Sequence, residues 1–147
     1  MTNGAAQPGG LLKRFLARLI DGILVSIIGS IGIVAIFSPR YLSDILVTGL
    51  FTGVLMFVYF LAFEAGVGWT PGKKLLGLEV RGPGGAAKPD VKQAAIRNAW
   101  TLFPIIPFVG GLAAFIAIVV IAVTVSSSPT KQGKHDELAG GTEVVDR

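Results

Sequence analysis

Residues 11–37 read LLKRFLARLIDGILVSIIGSIGIVAIF, three cations and a carboxylate running straight into an apolar stretch. An α-helix rises about 1.5 Å per residue, so roughly 19 such residues cover about 28 Å, close to the thickness of a hydrocarbon core. The segment predicts a membrane-crossing helix with a charged foot. At about 100° per residue, Arg14, Arg18 and Asp21 share a sector of about 60°, because steps of four and three residues return to the same face. Val25, Gly29 and Gly32 extend that face with small side chains, which lets another helix approach closely. A signal peptide fits poorly. Its apolar region would be uncharged and about 7–15 residues long, whereas Asp21 stands inside this run and IFSPR offers a poor cleavage site. The first helix is therefore expected to be retained.

The rest of the chain repeats the pattern. Of 147 residues, 52% are apolar and only 15% charged, and the apolar ones are blocked into long runs, so one integral membrane domain is expected. Residues 1–10 are small, polar and glycine-rich and read as a disordered lead to that domain, which covers 11–147. A second helix is expected over 45–64, with Gly49 and Gly53 as a GxxxG packing pair and Glu64 at its end. A loop follows over 65–90. Within it Trp69 suits a membrane interface, Pro71-Gly72 breaks the helix, and residues 76–81 alternate like a strand. The Gly72-Lys73 pair is not a phosphate-binding loop, because no glycine stands five residues earlier and Lys74 follows where Ser or Thr is needed. Asp90 after Pro89 is a candidate N-cap for a helix over 91–109, and a last apolar run covers 111–127 before a tail over 128–147. Pro104 and Pro107 weigh against joining those two runs into one helix.

Charge placement orients the chain. With four crossings, the amino terminus, the 65–90 loop and the tail share one side, which then collects every Lys and Arg except Arg40. Three crossings would strand Lys131 and Lys134 opposite. The excess of cations on cytoplasmic segments favours four crossings, an all-α bundle of short transmembrane helices with both termini cytoplasmic in the plasma membrane. The same parity lets GTEVVDR in the tail meet GLEVRG in the loop, a small cytoplasmic extended or β element.

Some chemistry is excluded directly. There is no cysteine and only one histidine, so thiolate and multi-histidine metal sites are absent. No cofactor motif appears, and no basic face with interleaved aromatics suggests nucleic acid. His135-Asp136 has no nucleophile or second histidine beside it, so no catalytic residue is assigned and an enzyme is not expected. What remains is a polar cluster or ion site drawn from Arg14, Arg18, Asp21, Glu64, Arg97 and Asp136, which the four-crossing parity puts on one side. Two readings stand for it. Asp21 and Arg18 neutralise each other at i+3 and the cluster is architectural, or it lines a narrow cytoplasmic vestibule. Asp136 is an expected acceptor for a helix-one arginine.

The spacing Arg14-x6-Asp21, the stretch TPGKKLLGLEV (70–80) and the stretch KHDELAGGTEVV (134–145) together resemble the RDD family of bacterial membrane proteins. The family is named for an arginine and two aspartates, which by pattern fall on Arg14, Asp21 and Asp136. Gly140-Gly141 departs from the single glycine usual before the threonine. The resemblance implies a small multi-span protein of poorly defined role, for which ion or solute transport has been proposed. Two functions are expected from it. The first is a transport-related protein with a cation- or proton-responsive Arg/Asp site, and the second is an accessory or assembly subunit of a larger membrane complex. Partners are then the lipid bilayer and a homo-oligomer or larger complex.

Overall fold

The computed structural model describes residues 6–106 and 108–146. Helix α1, Leu11–Ile36, buries Ala17, Asp21, Val25, Gly29 and Ile33, one residue in four, a single stripe packed on the next long helix. Close approach there depends on the glycines. A Cβ on Gly32 would lie 2.9 Å from the Phe51 ring. Helix α2, Ile45–Val67, begins where Asp44 accepts from the Leu46 and Val47 N–H groups and ends at Gly68, whose positive φ of 78° closes it. It runs one turn beyond the expected end, so Glu64 stands inside the helix.

The loop that follows is structured. Thr70 caps a short helix α3, Pro71–Leu75, and strand β1, Leu78–Arg81, comes next. It pairs antiparallel with β2, Glu143–Asp146, with Leu78 opposite Asp146 and Arg81 opposite Glu143. The alternation of LEVR turns Leu78 and Val80 inward, where they pack with Val144 and Ala17 of α1. Residues 7–9, expected within the disordered lead, lie along the other edge of β2. The Asp146 N–H donates to the Gln7 carbonyl at 2.8 Å, and the Gly9 N–H donates to the Val144 carbonyl at 2.9 Å. Burial of this edge explains the order that composition alone does not suggest.

The helix expected over 91–109 is broken. Helix α4, Val91–Asn98, opens with a capping box in which Asp90 and Gln93 bond each other's backbone, and a 3-10 stretch, Ala99–Ile105, follows it. Pro104 has no N–H to continue an α-helical ladder, and its ring would crowd the carbonyl four residues back. Pro107 lies outside the described residues. The GxxxG pair of α2 receives this irregular segment: a Cβ would lie 3.2 Å from the Pro104 carbonyl at Gly49 and 3.0 Å from Ile105 at Gly53. Helix α5, Gly110–Ser127, returns the chain, and α6, Lys134–Leu138, precedes β2. Among the described residues three helices, α1, α2 and α5, are long and apolar enough to cross a membrane. Little of those spans is buried within the chain, so their outer faces present an apolar surface that suits lipid.

Candidate functional site

Three buried carboxylates organise the end of the bundle that holds the β-pair. Asp21, one turn into α1's buried stripe, accepts from the Tyr59 hydroxyl at 2.7 Å, the Gly72 N–H at 2.8 Å and the Thr70 hydroxyl. All three partners are neutral donors, and two belong to the turn that starts α3. That turn sits tightly on α1, since a Cβ at Gly72 would lie 2.2 Å from the Ala17 carbonyl. Asp21 thus fastens the loop to the first helix. Among the described residues it makes no direct ion pair with Arg18, the i+3 cation. The Arg18 guanidinium instead stacks over Phe60, 3.6 Å from the ring centroid, and over Trp100 at 4.5 Å.

Glu64 and Asp136 are joined through one arginine. Glu64 accepts from Lys73 Nζ at 3.0 Å, Arg97 Nε at 3.1 Å and Asn98 Nδ2 at 2.8 Å. Arg97 uses its Nη1 for an ion pair with Asp136 and a 3.3 Å bond to the Thr142 hydroxyl. Asp136 also accepts from the Thr142 hydroxyl at 2.9 Å, the Gly133 N–H at 3.0 Å and Arg14 Nη1 at 3.4 Å. Arg14 in turn donates to the carbonyls of Gly9 at 2.9 Å and Val144 at 3.2 Å. The result is an alternating chain, Arg14–Asp136–Arg97–Glu64–Lys73, that draws on α1, α6, α4, α2 and α3. Charges this deep are tolerated only when paired and hydrogen-bonded on both sides.

The network borders a cavity of about 1210 Å³ walled by α1, α2, the 3-10 stretch and α5. Arg14, Arg18, Glu64, Lys73, Arg97 and His135 line its charged end, Ser26, Ser30, Thr48 and Thr52 stand farther along, and the rest of the wall is mostly apolar. Asp21 and Asp136 stay outside that lining. Burial pulls the Lys73 ammonium below its usual range, and Arg97 and Arg18 add to this, while Glu64 acts in the opposite sense. His135 is held well below the ordinary histidine range by burial and by the cations Arg97, Arg14, Arg18 and Lys73. Among the described residues its Nδ1 is buried without a hydrogen-bond partner, as is Trp100 Nε1. Among the described residues no group of three His, Asp or Glu side chains is placed to hold a metal ion.

All six expected cluster residues therefore fall at one end of the bundle, but in two knots rather than one. Asp21 belongs to the loop anchor, Arg14, Glu64, Arg97 and Asp136 to the ion chain, and Arg18 to an aromatic sandwich between them. The packing glycines Gly29, Gly32, Gly49 and Gly53 all face contacts within the chain. Sequence reasoning missed Tyr59, Thr70, Lys73, Asn98, Trp100 and Thr142. Lys73 was visible only as a cation on a cytoplasmic loop, and Thr70 and Thr142 only as letters in the TPGKK and GGTEVV stretches. Nothing in their local sequence marks them as buried.

No curated protein and no solved structure matches the chain. The family model of the RDD family matches residues 8–140, from the edge beside β2 to the turn after Asp136. That span includes both knots with Arg14, Asp21 and Asp136, and on this match the chain belongs to the RDD family.

Proposed function

We propose that the protein is transport-related, a four-crossing membrane protein that admits a small ion from the cytoplasmic side into the cavity above the Arg14–Asp136–Arg97–Glu64–Lys73 chain. The observation that carries this reading is the cavity itself, with its charged end and hydroxyl-bearing wall. The parity argument supports four crossings. Arg14 at the start of α1 and Asp136 beyond the end of α5 are bonded, which favours segment 91–105 crossing most of the depth that α5 then returns through. The distribution of cations supports both termini lying on the cytoplasmic side, and the plasma membrane is the proposed location.

The network's own bonding bears on the ion. Each buried carboxylate already accepts from two or more fixed donors, so a metal cation would have to displace them. A proton need not. Reconstituted protein is therefore expected to carry protons when a pH gradient is imposed. The cysteine-free chain gives a clean control. Ser26→Cys, on the cavity wall, should retain flux until a bulky thiol reagent is added. No flux above protein-free vesicles under proton, sodium or potassium gradients would overturn the proposal.

A second reading draws on the scarcity of contact between α1 and α5. A non-transporting accessory or assembly subunit could seat a helix of a larger complex in that opening. Isolation from native membranes in mild detergent would then return a stoichiometric partner.

A further inference from the structure

Among the described residues one cation of the cluster makes no hydrogen bond to a protein acceptor. Arg14, Arg18, Lys73 and Arg97 face Asp21, Glu64 and Asp136 across the same end of the bundle, four positive groups against three negative. Arg14, Lys73 and Arg97 all donate to protein acceptors. Arg18 is different. Its guanidinium is clamped between Phe60 and Trp100, it lines the cavity, and among the described residues it donates to no protein acceptor. A planar group with five N–H donors, fixed in orientation and left with spare bonding capacity, is built for a phosphate or carboxylate.

The remaining wall says what kind of anion. From Leu11 to Ile33 the cavity follows α1 for about 33 Å at 1.5 Å per residue, past Leu19, Ile23, Ile27 and Ile31. Ile118 and Ile121 of α5 face it from the other side. An inorganic anion would engage the guanidinium alone. An amphiphile with an acidic head would place its charge on Arg18 and its chain along α1, in van der Waals contact with a wall as apolar as the chain itself.

We propose that this cavity is a binding site for one acidic phospholipid, with the phosphate held by Arg18 and an acyl chain lying between α1 and α5. The site does not depend on transport, and its occupancy is read without any gradient. The full chain in detergent would be supplied with phosphatidylglycerol or with phosphatidylcholine of the same acyl chains and examined by native mass spectrometry. Wild-type protein is expected to retain one phosphatidylglycerol per chain, about tenfold in preference to phosphatidylcholine. Arg18→Gln should erase the preference. Ala122→Trp, which fills the cavity while keeping the guanidinium, should lower retention of both lipids, and Arg40→Gln at the opposite end should change neither.

Thermal melts establish that each variant is folded. If Arg18→Gln is not, Arg18→Lys, which keeps the charge but loses the planar fork, decides together with Ala122→Trp. Equal retention of the two lipids by the wild type, or a preference that survives both variants, overturns the proposal. So does displacement of the lipid by glycerol 3-phosphate at equal concentration, which marks a free-phosphate site. A dimer or a partner helix that fills the cavity and excludes lipid would overturn it as well.

Discussion

Gly72 shows how little room the loop anchor has. A Cβ there would lie 2.2 Å from the Ala17 carbonyl and 2.9 Å from the Asp21 carboxyl carbon, so Gly72→Ala must lift α3 off α1 and break the N–H bond to Asp21. The expected loss is about 2–3 kcal/mol. Gly66, inside α2 with nothing within 4 Å of the position its Cβ would take, is the control, and Gly66→Ala should be neutral or gain up to about 1 kcal/mol. Unfolding in detergent, followed by tryptophan fluorescence, compares the two. At His135 the same scale gives a pH dependence. The folded ring is held well below 6.5, so as pH falls through that value the unfolded chain takes up a proton before the folded one does. Stability is then complete above about pH 6.5 and declines below it by about 1.4 kcal/mol per pH unit until the folded ring protonates. His135→Gln should remove that slope. Melting temperatures at pH 7.5 and 5.5 measure it, and equal falls in variant and wild type would show that other groups cause the decline.

At the level of elements, the GxxxG pair of α2 illustrates what sequence could and could not fix. Spacing identified Gly49 and Gly53 as a close-approach face, but in sequence that face could equally serve a second copy of the chain. The fold gives it to the broken segment after α4, whose carbonyl at Pro104 and side chain at Ile105 press on the two glycines. Gly53→Leu is accordingly expected to cost about 1–3 kcal/mol by overpacking and to leave the oligomeric state unchanged. Melting and size-exclusion chromatography with light scattering provide the two readouts. Other elements were legible because their signals are local: the α1 stripe through Asp21 and Gly29, the cap at Asp90, and the alternation in LEVR, which pairs as β1 with the tail stretch EVVD. The break at Asn98 was harder to read. Its side chain turns to Glu64, thirty-four positions away, and no window around residue 98 contains that partner. The same holds for the site. Arg14 and Asp136 could be matched across the chain by charge and parity, while Tyr59 and Thr70 serve Asp21 through contacts that only the folded loop creates.

Over the whole molecule, the proposed number of crossings rests on where the ends meet. Among the described residues three helices are long and apolar enough to span a bilayer, an odd count that on its own would put the two ends of the domain on opposite sides. Yet β2 pairs with β1, residues 7–9 pair with β2, and Arg14 bonds Asp136, so the start of α1, the end of α2 and the end of α5 lie together. We propose that α4 and its 3-10 continuation reconcile the two as a fourth, irregular crossing, its broken backbone covered by α2's glycines and α5 rather than by lipid. The absence of native cysteine makes this directly measurable. Single cysteines at Lys92 and Arg40, both exposed, and at Lys131, half-buried, stand on either side of the expected membrane. In oriented vesicles, a membrane-impermeant thiol reagent should label Lys92→Cys and Lys131→Cys from the cytoplasmic face and Arg40→Cys only from the other. Labelling of Lys131→Cys from the same face as Arg40→Cys would mean three crossings. The ion chain from Arg14 to Lys73 could not then form within one copy, because Asp136 would lie across the bilayer from Arg14 and Arg97.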